Sequence, residues 1–368
     1  MPKKQTLRFQ TTLKAGGTTS LQRPFTRNRP VLMKRKRQLI VRSLIGCAVV
    51  LFIAAELLVR FGIGLGDPPL WRLDPKIEYI AKPGDHRRFG NRIHYNAYSM
   101  RSDEFPETKS DPEEIRVLVI GDSVVNGGNY IDQADLATEI AVGLLEQKLD
   151  RPVVIGNISA GSWGPRNQLE YLRHFGTFGA DLVILVSHTG EVDDLPTHDV
   201  QLGVTHTKVD TKPLLALQEF FGRYVVQFFE QFKAPSPDSD RLTEEQGDAF
   251  EFSTRPDMEA MDELITNSGA DFRILLHPRG RELNQGPTAK AEAIEALARE
   301  RNIPLSKLDS RYRFELTMGN PIYMIGDIHL NERGQQLLAK ELVDTVYAWT
   351  LSSEKERRED GNDSSPVP

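Results

Sequence analysis

One cysteine, Cys47, stands in the 368 residues, so no intramolecular disulfide framework is available and packing must hold the fold. Acid is missing from the first 55 residues, which carry twelve lysines and arginines; the chain's net −6 therefore leaves −18 for the remainder. An acidic domain of this kind lacks the clustered positive charge that nucleic acid requires, so nucleic acid is excluded as a partner. No Walker-type or dinucleotide-binding glycine pattern occurs, and no cofactor is expected. His188, Asp193, Asp194 and His198 fall in one loop, with Asp327 and His329 free to converge on it. Their spacing matches no metal-ligand motif, and no metal is expected either. Internal repeats are absent, and long apolar runs are confined to one place.

That run, Leu44–Ala55, has no polar side chain. Counted from Leu39 through Val59 it reaches about 20 residues, enough to span a bilayer. Arg42 is placed to snorkel at one end and Glu56 lies towards the other interface. Lys34-Arg35-Lys36-Arg37 precedes it, so the positive-inside rule puts the N-terminus in the cytoplasm and the following domain outside. A cleaved signal peptide is the weaker alternative, because no small-residue cleavage signature follows. Leu44-Ile45-Gly46-Cys47 resembles a lipoprotein box, but the apolar stretch before Cys47 is too short. A buried core helix is the third reading. Met33, directly before the basic cluster, is a candidate alternative start.

What is present beyond the anchor is globular: 39% hydrophobic and 27% charged residues over the chain. Val117-Leu118-Val119-Ile120 reads as a buried parallel strand ended by Gly121-Asp122-Ser123. Ligands of open α/β sheets bind beyond the C-terminal ends of strands, which is where Ser123 falls. The start of the next helix offers spare N–H groups and positive partial charge for an oxyanion. Asp and Ser after a strand are also ordinary helix caps, so the motif needs a partner. One stands at the far end, where Gly326-Asp327-Ile328-His329 precedes an apolar-periodic helix. A serine hydroxyl needs an adjacent base to become a nucleophile, and histidine oriented by a carboxylate supplies one.

These blocks resemble the SGNH (GDSL-type) hydrolases, specifically their membrane-anchored bacterial members, over about residues 70–348 by motif order. Gly121-Asp122-Ser123 matches the first block. Asn157-Ile158-Ser159-Ala160-Gly161-Ser162-Trp163-Gly164 matches the second, and Asp327-Ile328-His329 with Leu330, Asn331 and Gly334 matches the last. The resemblance implies Ser123 as nucleophile, His329 as base, Asp327 as its orienting acid, and the amides of Ser123 and Gly161 as oxyanion hole. Two departures stand out. The family's third block carries an oxyanion Asn, whereas Val186–Asp194 contains none. Losing one such donor costs ~10²–10³ in turnover, and His188 or Thr189 is placed to donate instead. The final block also has one residue, not two, between Asp and His.

The expected architecture is flavodoxin-like three-layer α/β/α with a five-stranded parallel sheet, preceded by one transmembrane helix. Strands are expected at Ile115–Ile120, Val153–Ile158, Leu182–Val186, Phe272–Leu276 and Ile303–Leu308. Helices are expected at Leu136–Leu149, Gln168–Phe178, Met258–Ser268 and Ala289–Arg301. The organisation reads as a disordered basic segment 1–38, anchor 39–65, extracytoplasmic prefix 66–112, hydrolase-like domain 113–350 and disordered tail 351–368. A strand is expected around Arg92–Tyr98 of the prefix. Pro213–Phe232 carries aromatics on one helical face, as a helix packed on the core, a lid or acyl wall, or a membrane-resting helix. His277, after the fourth strand, is a candidate with His188 and Thr189 to line the pocket, although a structural role is the favoured reading for it. The substrate expected is an acyl ester on envelope glycan or lipid. Hydrolysis, acyl transfer to glycan, and glycan binding by a degenerate domain stand as alternatives, and the oligomeric state is open.

Overall fold

A computed structural model describes residues 29–109, 111–203, 208–226, 251–324 and 326–359. Contacts divide the chain into two units, residues 1–53 and 54–368. The first contains most of the helix Arg29–Leu57, which continues as a π-helical turn, Leu58–Ile63. Among the described residues this is the one helix long and apolar enough to cross a membrane.

In the second unit, two antiparallel hairpins come first: β1 (Trp71–Asp74) with β2 (Glu78–Ala81), and β3 (Gly84–Arg88) with β4 (Asn91–Tyr95). The main sheet follows: β5 (Ile115–Gly121), β6 (Val153–Ser159), β7 (Leu182–Ser187), β8 (Asp271–Leu276) and β9 (Leu305–Lys307). They are parallel and ordered β6-β5-β7-β8-β9. This is the flavodoxin-like order, whose switch point lies between β5 and β7. Apolar clusters cover both faces of the sheet, so β5 and β7 are buried throughout. Strands buried on both sides read as continuous apolar runs, which is why 117–120 and 182–186 stand out in the sequence.

Several boundaries differ from the sequence reading. The helix expected at Gln168–Phe178 is Pro165–Phe175, because Pro165 suits its first turn and Gly176, at φ 80°, ends it. The last strand starts at Leu305, since Pro304 has no N–H and contributes only its carbonyl to Ile274. Helix already begins at Arg29 within the segment read as disordered, and the final helix, Glu332–Glu359, runs into the tail read the same way. Both stretches are charged but rich in good helix formers, and Lys355–Glu359 adds an i,i+4 pair. The aromatic insertion forms the short helix Ala216–Glu219 and a π-helical turn Phe220–Val225; Phe228, Phe229 and Phe232 lie outside the described residues. Phe220 and Tyr224 pack on the cluster of Val59, Leu65 and Ala216, and none of the described residues of the insertion lines the cavity beyond the C-terminal end of β5.

Candidate active site

The sequence Gly121-Asp122-Ser123 makes a tight strand-to-helix turn. A Cβ on Gly121 would stand 2.5 Å from Val125 Cγ2 and 3.2 Å from the Val186 carbonyl, so only glycine allows β5 to turn against β7. Asp122 then caps the helix Ser123–Asn126, accepting from the Val124 amide at 2.9 Å. Ser123 Oγ lies 3.0 Å from His329 Nε2, across 206 residues of sequence.

His329 sits in a small folded-back loop. Tyr323 bridges Leu330, the Met324 amide donates to the His329 carbonyl at 2.8 Å, and the Asn331 amide donates to the Ile322 carbonyl. Buried His277 donates from Nε2 to the Ile328 carbonyl at 3.0 Å. Burial, with His188 adding to it, lowers the His277 pKa to about 3, so the ring is a neutral strut. Gln335 ties the two halves of the site together. It accepts from the Ala137 amide and donates to the Val124 carbonyl, joining the helix after His329 to both helices after β5.

Asp122 Oδ2 is a second acceptor for the serine proton, 3.1 Å from Oγ. The same oxygen lies 3.0 Å from His188 Nε2. The Gly190 amide points at His188 Nδ1 from 2.9 Å, and Nε2 carries a proton towards Asp122. Burial opposes ionisation of Asp122, but His188 and the Val124 amide outweigh it and hold the carboxyl at about 2. So weak a base leaves the serine proton to His329.

The carboxylate of Asp327 faces elsewhere. Its Oδ1 accepts from Arg279 Nε at 3.2 Å and Nη2 at 2.8 Å, and Arg281 lies 4.0 Å from Oδ2. Among the described residues no hydrogen bond joins it to His329. The orienting contact expected from the sequence is therefore not made here, because a fixed guanidinium fork competes for the carboxylate.

Gly161 faces the serine: a Cβ there would lie 4.0 Å from Ser123 Cβ. Its loop is pinned by Tyr79 of β2, whose hydroxyl donates to the Gly161 and Ser162 carbonyls, while Trp163 Nε1 donates back to the Tyr79 carbonyl at 3.1 Å. Ser162 has φ 63°, a conformation the pinned loop imposes. Ser123, His329 and Gly161 open into a cavity of about 450 Å³, walled by Trp71, Tyr95, Tyr130 and Lys208.

Neither His188, Thr189 nor His277 lines this cavity. His188 is committed to Asp122 and Gly190. Thr189 donates to Glu282 at 2.7 Å beside a separate small cleft, and His277 lies under the His329 loop. His188 and Thr189 thus do not replace the missing oxyanion Asn. His198 lies in a surface groove with Lys76 and Arg166, and among the described residues no group of three or more acidic, His or Cys side chains is placed to hold a metal. Sequence reasoning missed Tyr79, Trp71, Tyr95, Tyr130, Lys208 and Arg279. Their signal is weak, since Trp71, Tyr79 and Tyr95 stand at irregular spacing in the hairpins and Tyr130, Lys208 and Arg279 stand singly in connecting segments.

No family model matches the chain, and neither does any curated protein. Among solved structures, the chain is similar to a lipolytic G-D-S-L family protein from Veillonella parvula, with 15% identity and TM-score 0.35 over 62% of this chain and 96% of that one. It is also similar to the psychrotrophic esterase EstA from Pseudoalteromonas, with 12% identity and TM-score 0.38 over 64% and 98%. A third is the acetyl xylan esterase AlAXEase, with 14% identity and TM-score 0.39 over 63% and 100%. The three-layer α/β architecture itself rests on the sheet order and the two apolar faces described above.

Proposed function

We propose that the chain is a membrane-anchored serine esterase, with its N-terminus cytoplasmic and its catalytic domain on the outer side. The observation that carries the chemistry is the 3.0 Å approach of His329 Nε2 to Ser123 Oγ at the C-terminal edge of the sheet, open to a cavity. Ser123 Oγ attacks the ester carbonyl and forms a C–O bond as its proton passes to His329. The amides of Ser123 and Gly161 hold the oxyanion. His329 then protonates the departing alcohol as the original C–O bond breaks, leaving the acyl group on Ser123. Water attacks the acyl-enzyme with His329 as base, and the returning proton frees the serine.

Asp327 is the acid of this scheme. As His329 becomes imidazolium, its charge develops two residues from the carboxylate, which leaves Arg279 and takes up Nδ1–H. Apo sites commonly hold catalytic hydrogen bonds that form only in the reacting complex. A domain kept only for glycan binding needs no base on its serine, so the Ser123–His329 contact favours the enzyme. The test is fluorophosphonate labelling of the full-length protein beside Ser123→Ala and His329→Ala. Labelling of the wild type alone is expected; a folded wild type that stays unlabelled overturns the reading.

A further inference from the structure

The cavity's aromatic wall is tied directly to the end of the apolar span. The Phe89 amide donates to the Ile63 carbonyl at 2.8 Å, and the Phe89 ring stacks on Tyr130, a wall of the cavity, with centroids 5.8 Å apart and planes 6° from parallel. Pro69 and Trp71, also in the wall, follow Ile63 by six and eight residues, so Pro69 lies within ~22 Å of it even if the chain were fully extended.

The junction is built rather than loose. Glu56 accepts from the amides of Ala216 and Leu217 at 2.8 and 3.0 Å. Arg88 and Glu219 form a fully buried ion pair, and Glu219 also accepts from the Gly66 amide at 2.6 Å. The segment 214–226 is thereby fixed beside residues 56–66. Its outer side presents Leu214, Phe221 and Val226, which are 84%, 55% and 51% exposed. The last turn of the apolar span presents Leu58 and Phe61, at 66% and 78%. Large apolar side chains so exposed on two adjoining elements mark a surface that meets a nonaqueous partner. One of the two elements is the end of a helix long and apolar enough to cross a bilayer, which names that partner.

Resting on the membrane-anchored esterase reading, we infer that Leu214–Val226 and the end of the anchor form one pad seated in the headgroup–acyl boundary. It holds the catalytic cavity at the bilayer surface, and its substrate is an ester borne by a membrane-resident amphiphile. The pad occupies the boundary as an interfacial helix does, apolar side inward.

The test uses the full chain carrying Cys47→Ser in phosphatidylcholine–phosphatidylglycerol vesicles, with a nitroxide at Leu214→Cys or Phe221→Cys and, for comparison, at exposed Met318→Cys. Relaxation by oxygen is expected to exceed relaxation by a soluble nickel chelate at 214 and 221, and the reverse at 318. Nickel access at 214 and 221 equal to that at 318 overturns the pad. In the second arm, Leu214→Asp combined with Phe221→Asp is expected to slow turnover of a long-chain ester embedded in the vesicles about tenfold while sparing a water-soluble acetyl ester. Equal loss on both, with Ser123 still labelled by fluorophosphonate at the wild-type rate, refutes the substrate assignment. Absence of serine labelling in the wild type overturns the esterase reading instead, and the nitroxide depths then judge the pad by themselves.

Discussion

If Asp327 must leave Arg279 to serve His329, removing Arg279 should speed the enzyme. The perturbation is Arg279→Met, which keeps the bulk of the side chain and removes the fork. Two hydrogen bonds, 2.8 and 3.2 Å, end on one carboxylate oxygen, and the side chains are 9% and 33% exposed. Charged hydrogen bonds of this kind are worth ~1.5–3 kcal/mol when well buried. Solvent at Asp327 screens the pair, so ~1 kcal/mol is the appropriate figure. If that cost falls on the step in which the imidazolium forms, its removal raises kcat about fivefold. Asp327→Asn should act oppositely and lower kcat about 10⁴-fold, as loss of a triad acid does. Steady-state hydrolysis of a soluble acetyl ester measures both, with thermal unfolding run alongside. A folded Arg279→Met protein whose kcat falls tenfold or more would refute the reasoning: the ion pair would then be part of the working arrangement. Unchanged kcat in Asp327→Asn would remove Asp327 from the mechanism.

Three further outcomes are expected. Tyr79→Phe frees two carbonyls of the oxyanion loop, and one neutral hydrogen bond at ~1 kcal/mol predicts roughly fivefold slower acylation, read as the fluorophosphonate labelling rate, with the melting temperature little changed. Glu219→Gln leaves buried Arg88 without its counter-charge and should destabilise the protein by ~3–5 kcal/mol, seen in thermal unfolding; an unchanged melting temperature would mean that water reaches the pair. Glu191 is buried, and although His188 pulls the other way, burial lifts its carboxyl to about 7. The folded state therefore holds this proton through the window from the ordinary glutamate pKa to about 7, where the unfolded chain has lost it, and stability falls as pH rises across that window. His277 acts oppositely below the ordinary histidine pKa in wild type and variant alike, so the readout is the difference between them: Glu191→Gln should lower the melting temperature at pH 5 relative to that at pH 8, compared with wild type.

The sheet could be read from sequence because its central strands are buried on both faces and so are written as unbroken apolar runs. Ser123 and His329 could be paired on local signals, a glycine turn at a strand end before Ser123 and a helix start after His329, and the fold brings the two side chains 3.0 Å apart. The partner of Asp327 could not, since Arg279 belongs to another βα connection and the choice between Arg279 and His329 is a matter of tertiary distance. His188 misled in the same way. Its position at the end of β7 was correct, but the side chain turns to Asp122 at the switch point rather than into the cavity. The charged ends of the first and last helices were missed because composition alone does not separate a solvated helix from a coil. Lys208 and the aromatic wall gave no pattern, as residues far apart in sequence meet only through the hairpins.

The hairpins that precede the main sheet have a consequence for how this molecule can change. Ser123 and His329, the proposed reacting pair, stand just after β5 and in the turn before the last helix, while Trp71, Tyr79 and Tyr95 come from the hairpins. The serine and its base are thus written apart from two of the cavity's aromatic walls, and Tyr79 is the hairpin residue that touches both regions. On the proposed reading, substitutions at Trp71 and Tyr95 can retune which ester is accepted while Ser123 and His329 stay in register, whereas a chain begun at residue 113 would lose both that side of the chamber and the Tyr79 hydroxyl that holds the Gly161 loop.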